Sequence, residues 1–375
     1  MASFILHHSS FILPMYLRND RLQNPMLPVD VVLHPSWWHR HEGITFDEDF
    51  FYHPARRVED ERRMEQVLYD RWGQFGLGED RATDVPWIGP VHLAAGYLTS
   101  EMLGCRVDYF EDGPPQVIPA NIDSLAISRD APFQSPAYER YERLLDALRA
   151  KHGDLKGDVG WGGILNTALD LRGQAFFLDL YDRPEAAARF AADLAAVIER
   201  FTGRIAQATG STSISVNRNV RHIAEPVHLH SECSNVMIST EVYERFFLPF
   251  DVAWSRRFRP FGIHHCGADP DRFAESYAKI PHLDFLDVGS GGNVAKLRGH
   301  LPRTFLNLRL SPVEIVDQTP DQIRATIRRL VHQSDNPWLT GVCCINMDDQ
   351  VSDEQVAAIF GEVKTLREEY AAGDV

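Results

Sequence analysis

From Ser135 onward the chain alternates between two kinds of segment, and this alternation restricts its fold more than any other feature. Short apolar runs read as buried strands: "SISV" (Ser213 to Val216), "FGIHHC" (Phe261 to Cys266), "LDFLDV" (Leu283 to Val288), "TFLNLRL" (Thr304 to Leu310) and "WLTGVCCI" (Trp338 to Ile345). Around them lie amphipathic stretches of helical period. "SPAYERYERLLDALRAKHG" offers Ser135 as cap and Pro136 at the first helical position, with Tyr141, Leu144, Leu145 and Leu148 on one face. The device recurs at Pro184 and, with Asp269 as cap, at Pro270. Thr319 with Gln322 and Ser352 with Gln355 have the spacing of capping boxes. Strands separated by helices pair in parallel through right-handed crossovers. In 375 residues this predicts an α/β fold, a (β/α)8 barrel of TIM type whose active site lies at the C-terminal ends of its strands. An open doubly wound sheet is the alternative. "GSGGN" (Gly289 to Asn293) lacks the spacing of a dinucleotide loop and reads as a turn.

Residues 1–80 are richer in aromatics and charge and read as an N-terminal extension packed on the barrel, which takes residues 81–375. The opening segment resembles a signal peptide only superficially, because it lacks a positive n-region and histidines and serines break its apolar stretch. "SFIL" recurs there at Ser3 and Ser10, so the expectation is a start codon placed too early, with Met15 or Met26 as the true beginning. "HPSWWHRH" (His34 to His41) has two readings, an aromatic lid over a ligand or core packing with amphipathic edges.

Composition narrows the class of partner. The formal net charge of −15, the pI near 5.5 and the absence of any Lys/Arg run leave no footprint for nucleic acid or an anionic membrane. No apolar run reaches the ~18 residues needed to span a bilayer. Five cysteines are too few and too odd in number for a disulfide framework, which suits a reducing cytoplasm and a small-molecule substrate.

Three of those cysteines stand beside chemistry. On a strand, His264 and Cys266 share one face and Ile263 and His265 the other. If Ile263 points at the helices, His264 and Cys266 point inward at the strand's end and make half of a zinc site. The alternative is a buried cysteine beside a hydrogen-bonded histidine. Cys343 and Cys344 are adjacent, so one of them faces the interior in either register. Three soft ligands at two strand ends favour zinc with its fourth position open to substrate. In "HLHSECS" (His228 to Ser234), Glu232 is a candidate catalytic group, supporting the ligands or supplying a fourth; a hydrogen-bonded strand end is the other reading. Asp287 is either catalytic or a helix cap.

These segments also carry a resemblance. "FGIHHCG", "TFLNLRLSPVEIVDQTPDQIRATIRRLV" and "WLTGVCCINMDDQVSDEQVAAI" resemble the C-terminal half of the uroporphyrinogen decarboxylase superfamily. The order of segments matches over roughly residues 85–365, with "DVGWGGILNTALDLRG" (Asp158 to Gly173) and "STEVYERFFLPF" (Ser239 to Phe250) in their expected places. Within it, His-x-Cys plus a distant Cys is similar to the zinc methyltransferases that pass a methyl group between a corrinoid and a thiol, of the methylcobalamin:coenzyme M type. The resemblance implies a barrel fold, Zn²⁺ held by His264, Cys266 and Cys343, and a corrinoid supplied by a partner protein. Cys344 then falls where a small residue is usual. The superfamily's N-terminal Arg-rich signature is absent, which argues against porphyrinogen decarboxylation and leaves the acceptor thiol open.

Two further functions stay open at this point. One is a metal-independent decarboxylase or lyase using Asp287, Glu232 and arginines such as Arg218 or Arg221 on a carboxylated small molecule. The other is a non-enzymatic corrinoid- or metal-binding accessory protein.

Overall fold

The structure, a computed structural model, describes residues 26–80, 97–153, 155, 162–210 and 227–373. Six parallel strands form the main sheet in the order β1-β8-β7-β6-β5-β4. They are β1 (Val29–Leu33), β4 (His228–Ser231), β5 (Phe261–His264), β6 (Phe285–Val288), β7 (Phe305–Arg309) and β8 (Thr340–Met347). A separate antiparallel pair, β2 (Arg106–Asp108) and β3 (Gln116–Ile118), completes the strands among the described residues. The parallel α/β architecture expected from the alternating pattern is therefore present, whereas closure into eight strands is not shown. The predicted strand at Ser213–Val216 lies outside the described residues, as do the repeated "SFIL", Met15, Arg218 and Arg221.

β1 is a strand that the composition of the N-terminal segment concealed. It pairs with β8 from Val29↔Val342 to Leu33↔Met347, so Val29–Leu33 is part of the main sheet. The helix Pro35–Glu42 follows directly. In it Trp37 and Trp38 are fully buried, with ring centroids 5.0 Å apart and Trp37 5.6 Å from Trp72. The aromatic stretch therefore packs in the core.

One face of the sheet is apolar and covered by helices. Val31, Ile263, Leu286, Leu306, Leu308 and Val342 are buried there in the main hydrophobic core. Ile323, Ile327 and Val331 meet this layer from the helix Pro320–Ser334, and Val356, Ile359, Val363 and Leu366 from Asp353–Ala372. Burying such side chains contributes about 1.5–3 kcal/mol each, which is why the strand runs read as continuously apolar. Both capping boxes form, at Thr319/Gln322 and at Ser352/Gln355, and Ser135 accepts from the Tyr138 N–H.

Two helix starts differ from expectation. Arg183 precedes Pro184 and makes no side-chain cap. Asp269 adopts the left-handed region at φ 55° and makes no side-chain cap, and Pro270–Phe273 is a 3-10 turn before the short helix Ala274–Tyr277. Asp tolerates that conformation better than most residues, so it serves the sharp turn after β5 rather than the helix. Among the described residues no helix is long and apolar enough to cross a membrane.

Candidate metal centre

Register brings the site together. Ser231 on β4 pairs with His264 on β5, His264 with Asp287 on β6, Asp287 with Asn307 on β7, and Arg309 with Cys343 on β8. Pairing continues one step past the strand ends, since the Glu232 N–H donates to the His264 carbonyl at 2.9 Å and the His265 N–H to the Asp287 carbonyl at 3.0 Å. Because Ile263, Leu286 and Leu306 face the helices, alternation puts His264, Asp287 and Asn307 on the opposite face. The adjacent cysteines divide in the same way. Cys343 lies with Asn307 and Asp287, while the Cys344 thiol turns to the Leu310 carbonyl at 3.9 Å.

The loops leaving these strands crowd one another. A Cβ on Gly289 would stand 1.7 Å from the Gly267 carbonyl oxygen, and one on Gly267 would stand 2.0 Å from the Val236 side chain. Glycine at both positions lets the segments after β4, β5 and β6 meet over the strand ends.

His264 is held from one side by its Nδ1, which bonds to Asp287 Oδ2. Asp287 is thus a strand residue that orients an imidazole, and it does not cap a helix. Asn307 Nδ2 donates to the other carboxylate oxygen at 3.0 Å and approaches Cys343 Sγ at 3.2 Å. Cys343 Sγ lies 4.0 Å from Asp287 Oδ1, so the carboxylate stands between the Cys343 thiol and the His264 ring. With Nδ1 engaged, Nε2 is the nitrogen left for a further partner. Cys233, His264 and Cys266 each place one donor atom so that all three lie within 4.8 Å of one another. Cys233 and Cys266 are half-buried, whereas Cys343 is 1% exposed.

The electrostatics of this group favour a thiolate beside an imidazolium. Burial alone would lower the His264 pKa, but the Asp287 carboxylate and Cys266 outweigh it and raise it to about 9. The Cys266 thiol is held well below its usual range by a hydrogen bond from Cys233, against burial, with help from His264 and Arg309. Cys233 is correspondingly raised, first by that bond to Cys266 and then by burial. Burial, and then the Asp287 charge, push Cys343 well up. Burial raises Cys344 to about 12. One soft anion, one imidazole with a fixed ring and a second thiol fit the donor preferences of zinc.

The sequence pattern did not single out Cys233. It sits two residues past Ser231, whose Oγ lies 3.3 Å from its sulfur, and it reaches Cys266 only through the register of β4 on β5. Glu232 does not join the group. It points to the helix side with His230, whose Nδ1 lies 3.2 Å from Glu232 Oε1 and 2.7 Å from Asp251 Oδ1. There Tyr243 donates to Asp251 Oδ2 at 2.5 Å, and the Ile164 N–H approaches His230 Nε2 at 3.3 Å. Among the described residues neither Glu232 oxygen has a hydrogen-bond partner, and burial, reinforced by Asp251, raises its pKa to about 8 against the opposing pull of His230. His230, Glu232 and Asp251 form a second cluster of possible metal donors. An Nε2 that accepts from a backbone N–H leaves the proton on Nδ1, the nitrogen facing both carboxylates, which suits a hydrogen-bonded network better than an ion.

No protein-family model matches the chain, and no curated protein matches it. Among solved structures the chain is similar to a methyltransferase from Methanosarcina mazei, at 14% identity and a TM-score of 0.61, over 91% of this chain and 94% of that one. It also aligns with a B12-independent methionine synthase from Shewanella sp. in complex with selenomethionine, at 10% identity and a TM-score of 0.49, over 93% of this chain and 99% of that one. The first likeness establishes a shared fold along nearly the whole chain.

Proposed function

We propose that the chain is a zinc-dependent methyltransferase that moves a methyl group between a corrinoid, or a methylated small molecule, and a thiol acceptor. The observation that carries this reading is the pair His264 and Cys266 at the end of β5, with the imidazole locked by Asp287 and the thiol already biased toward thiolate. The fold shared with a methyltransferase supports methyl transfer in general. His264 and Cys266 would hold the metal; the resemblance implies Cys343 as the third donor, but its thiol stands behind the Asp287 carboxylate, whereas Cys233 lies within 4.8 Å of both. Zinc, when bound, supplies Lewis acidity that lets a thiol ionise near neutrality.

The chain's own residues do the rest. Asp287 fixes the His264 ring so that Nε2 is presented to the metal, the role carboxylates play behind metal-bound histidines. Asn307 holds Asp287 in turn. Arg309 donates to the Cys266 carbonyl at 3.2 Å and adds positive charge beside the thiolates. The half-buried thiols at the strand ends leave an approach for a small molecule. The methyl group would come on a corrinoid carried by a partner protein, since the chain has no Asp-x-His-x-x-Gly corrinoid motif of its own.

The test is metal content joined to thiol binding. Purified protein should carry about one zinc per chain, lost in Cys266→Ala. Coenzyme M, homocysteine or simple alkyl thiols should bind the zinc form, and the metal-free form far less, by calorimetry. If zinc neither copurifies nor can be restored, or if thiols bind both forms equally, the reading fails and a metal-independent decarboxylase or lyase becomes the better one.

A further inference from the structure

Three of the five thiols are engaged away from the mouth of the site. Cys105 donates to the Asp170 carbonyl at 3.4 Å, Cys344 lies 3.9 Å from the Leu310 carbonyl, and Cys343 is buried behind the Asp287 carboxylate. Cys233 and Cys266 face each other instead. Their sulfurs lie within 4.8 Å, and both residues are half-buried while the other three cysteines are buried. Register brings them there, because Ser231 pairs with His264 and the Glu232 N–H carries that pairing one step past β4. Neighbouring strands run about 4.8 Å apart, inside the ~4.4–6.8 Å that a disulfide requires between its Cα atoms.

The segments that carry the two thiols are also clamped together. Gly267 follows Cys266 and lies so close to the turn Cys233–Met237 that a Cβ on it would stand 2.0 Å from the Val236 side chain. Arg272 donates to the Val236 carbonyl at 3.2 Å and to the Ile238 carbonyl at 3.0 Å, tying the chain after β5 to the turn after β4. The sulfurs can therefore meet by side-chain rotation, without a movement of either strand.

We propose that Cys233 and Cys266 are a redox pair that a hydroperoxide closes into an intrachain disulfide and that small thiols reopen. The bond itself does not depend on the zinc reading; its consequence does, since a disulfide removes Cys266 from the metal's donors. The Cys266 sulfur attacks the peroxide, the O–O bond breaks, and water leaves with the thiol proton, so that a sulfenic acid remains. The Cys233 sulfur then displaces that hydroxyl, which leaves as a second water with the Cys233 proton. Two thiols lose two electrons and one peroxide is reduced. Attack by a small thiol on the disulfide, followed by a second, returns both cysteines.

Trypsin puts the two thiols on separate peptides, 222–245 and 258–272, with Cys105 and the adjacent Cys343 and Cys344 on others. Hydrogen peroxide added to the full-length chain, followed by iodoacetamide, should give one cross-linked pair of these peptides and lower the thiols titrated after denaturation from five to three. A mixture of ¹⁵N-labelled and unlabelled chains should give no heavy–light pair, and dithiothreitol should restore every thiol. In Cys233→Ser no second thiol traps the sulfenic acid, so Cys266 should pass on to sulfinic acid and its recovery on reduction should fall several-fold. A zinc-loaded chain should release about one ion per cross-link. A cross-link in a chain that never held zinc supports the redox pair and counts against the zinc reading alone. The proposal is overturned by sulfinic acids on both peptides without a cross-link, by a bond from Cys266 to Cys343, by heavy–light pairs alone, or by a cross-link that forms only in guanidinium. The wild-type map decides among these whether or not the variant folds.

Discussion

β4 and β5 carry two polar clusters on opposite faces, built from alternate residues of the same few positions. On one face Cys233, His264 and Cys266 stand with Asp287. On the other, His230 and Glu232 meet Asp251 and Tyr243 from the helices Leu248–Arg257 and Thr240–Phe246. Each pairs a histidine with a carboxylate, yet they differ in access and in donor type. The first has half-buried thiol donors and a histidine hydrogen-bonded to both a carboxylate and a thiol. The second is fully buried, has no thiol, and spends both nitrogens of His230 on the protein itself. Residue type alone therefore does not separate a reactive centre from a brace. What separates them is whether thiols stand among the donors and whether a small molecule can reach them.

The sharpest way to break that comparison is to remove one histidine from each side of β5. His264→Ala should weaken zinc binding on the order of 10³-fold, while His265→Ala should leave affinity within a few-fold. His265 is engaged instead with the Tyr277 hydroxyl at 2.7 Å, so its loss should register as a lower melting temperature. Equal loss of metal in both variants would mean that the two faces are not independent.

Glu232 offers a test by pH. Its folded-state pKa is raised from 4.5 to about 8, chiefly by burial, while the unfolded chain ionises it from about 4.5 upward. The folded form therefore holds a proton that the unfolded form has released, and stability falls as pH rises from about 4.5 to about 8. The slope should approach 1 kcal/mol per pH unit as an order of magnitude. Glu232→Gln should flatten it and leave zinc content unchanged. A slope that survives the substitution would assign the titration elsewhere.

Asp287→Asn should reduce zinc affinity about 10- to 100-fold without unfolding the protein, the usual cost of losing a carboxylate behind a metal-bound histidine. An unchanged affinity would reduce Asp287 to a packing role. The smallest effect belongs to Cys344→Ser. Its thiol is buried on the helix side, so the change should cost about 1 kcal/mol of stability and no metal. Metal loss there would shift β8 by one residue.

Much of this contrast was legible along the chain. β5 to β8 announce themselves because strands buried on both sides read as unbroken apolar runs, and the alternation within "GIHHC" assigned His264 and Cys266 to one face. β1 was hidden. "VDVVL" carries an aspartate at its second position, whose carboxylate accepts from the neighbouring Val31 N–H at 2.8 Å and so tolerates a strand. Proline marked the helix starts at Pro184 and Pro270 but not their capping chemistry, which depends on backbone angles outside the pattern. Cys233 could not be found locally at all. Its partnership with Cys266 depends on how β4 lies against β5, a relation between residues more than thirty positions apart.

The pairing of β1 with β8 has a consequence for how the molecule is made. A ribosome releases Val29–Leu33 roughly three hundred residues before Thr340–Met347 emerges, so during synthesis one margin of the sheet has to wait for its neighbour. Contacts this far apart along the chain form slowly and late. The strand that carries Cys343 is therefore completed by a segment synthesised long before it, and deleting Val29–Leu33 should leave β8 as an exposed edge, prone to stick to its copies.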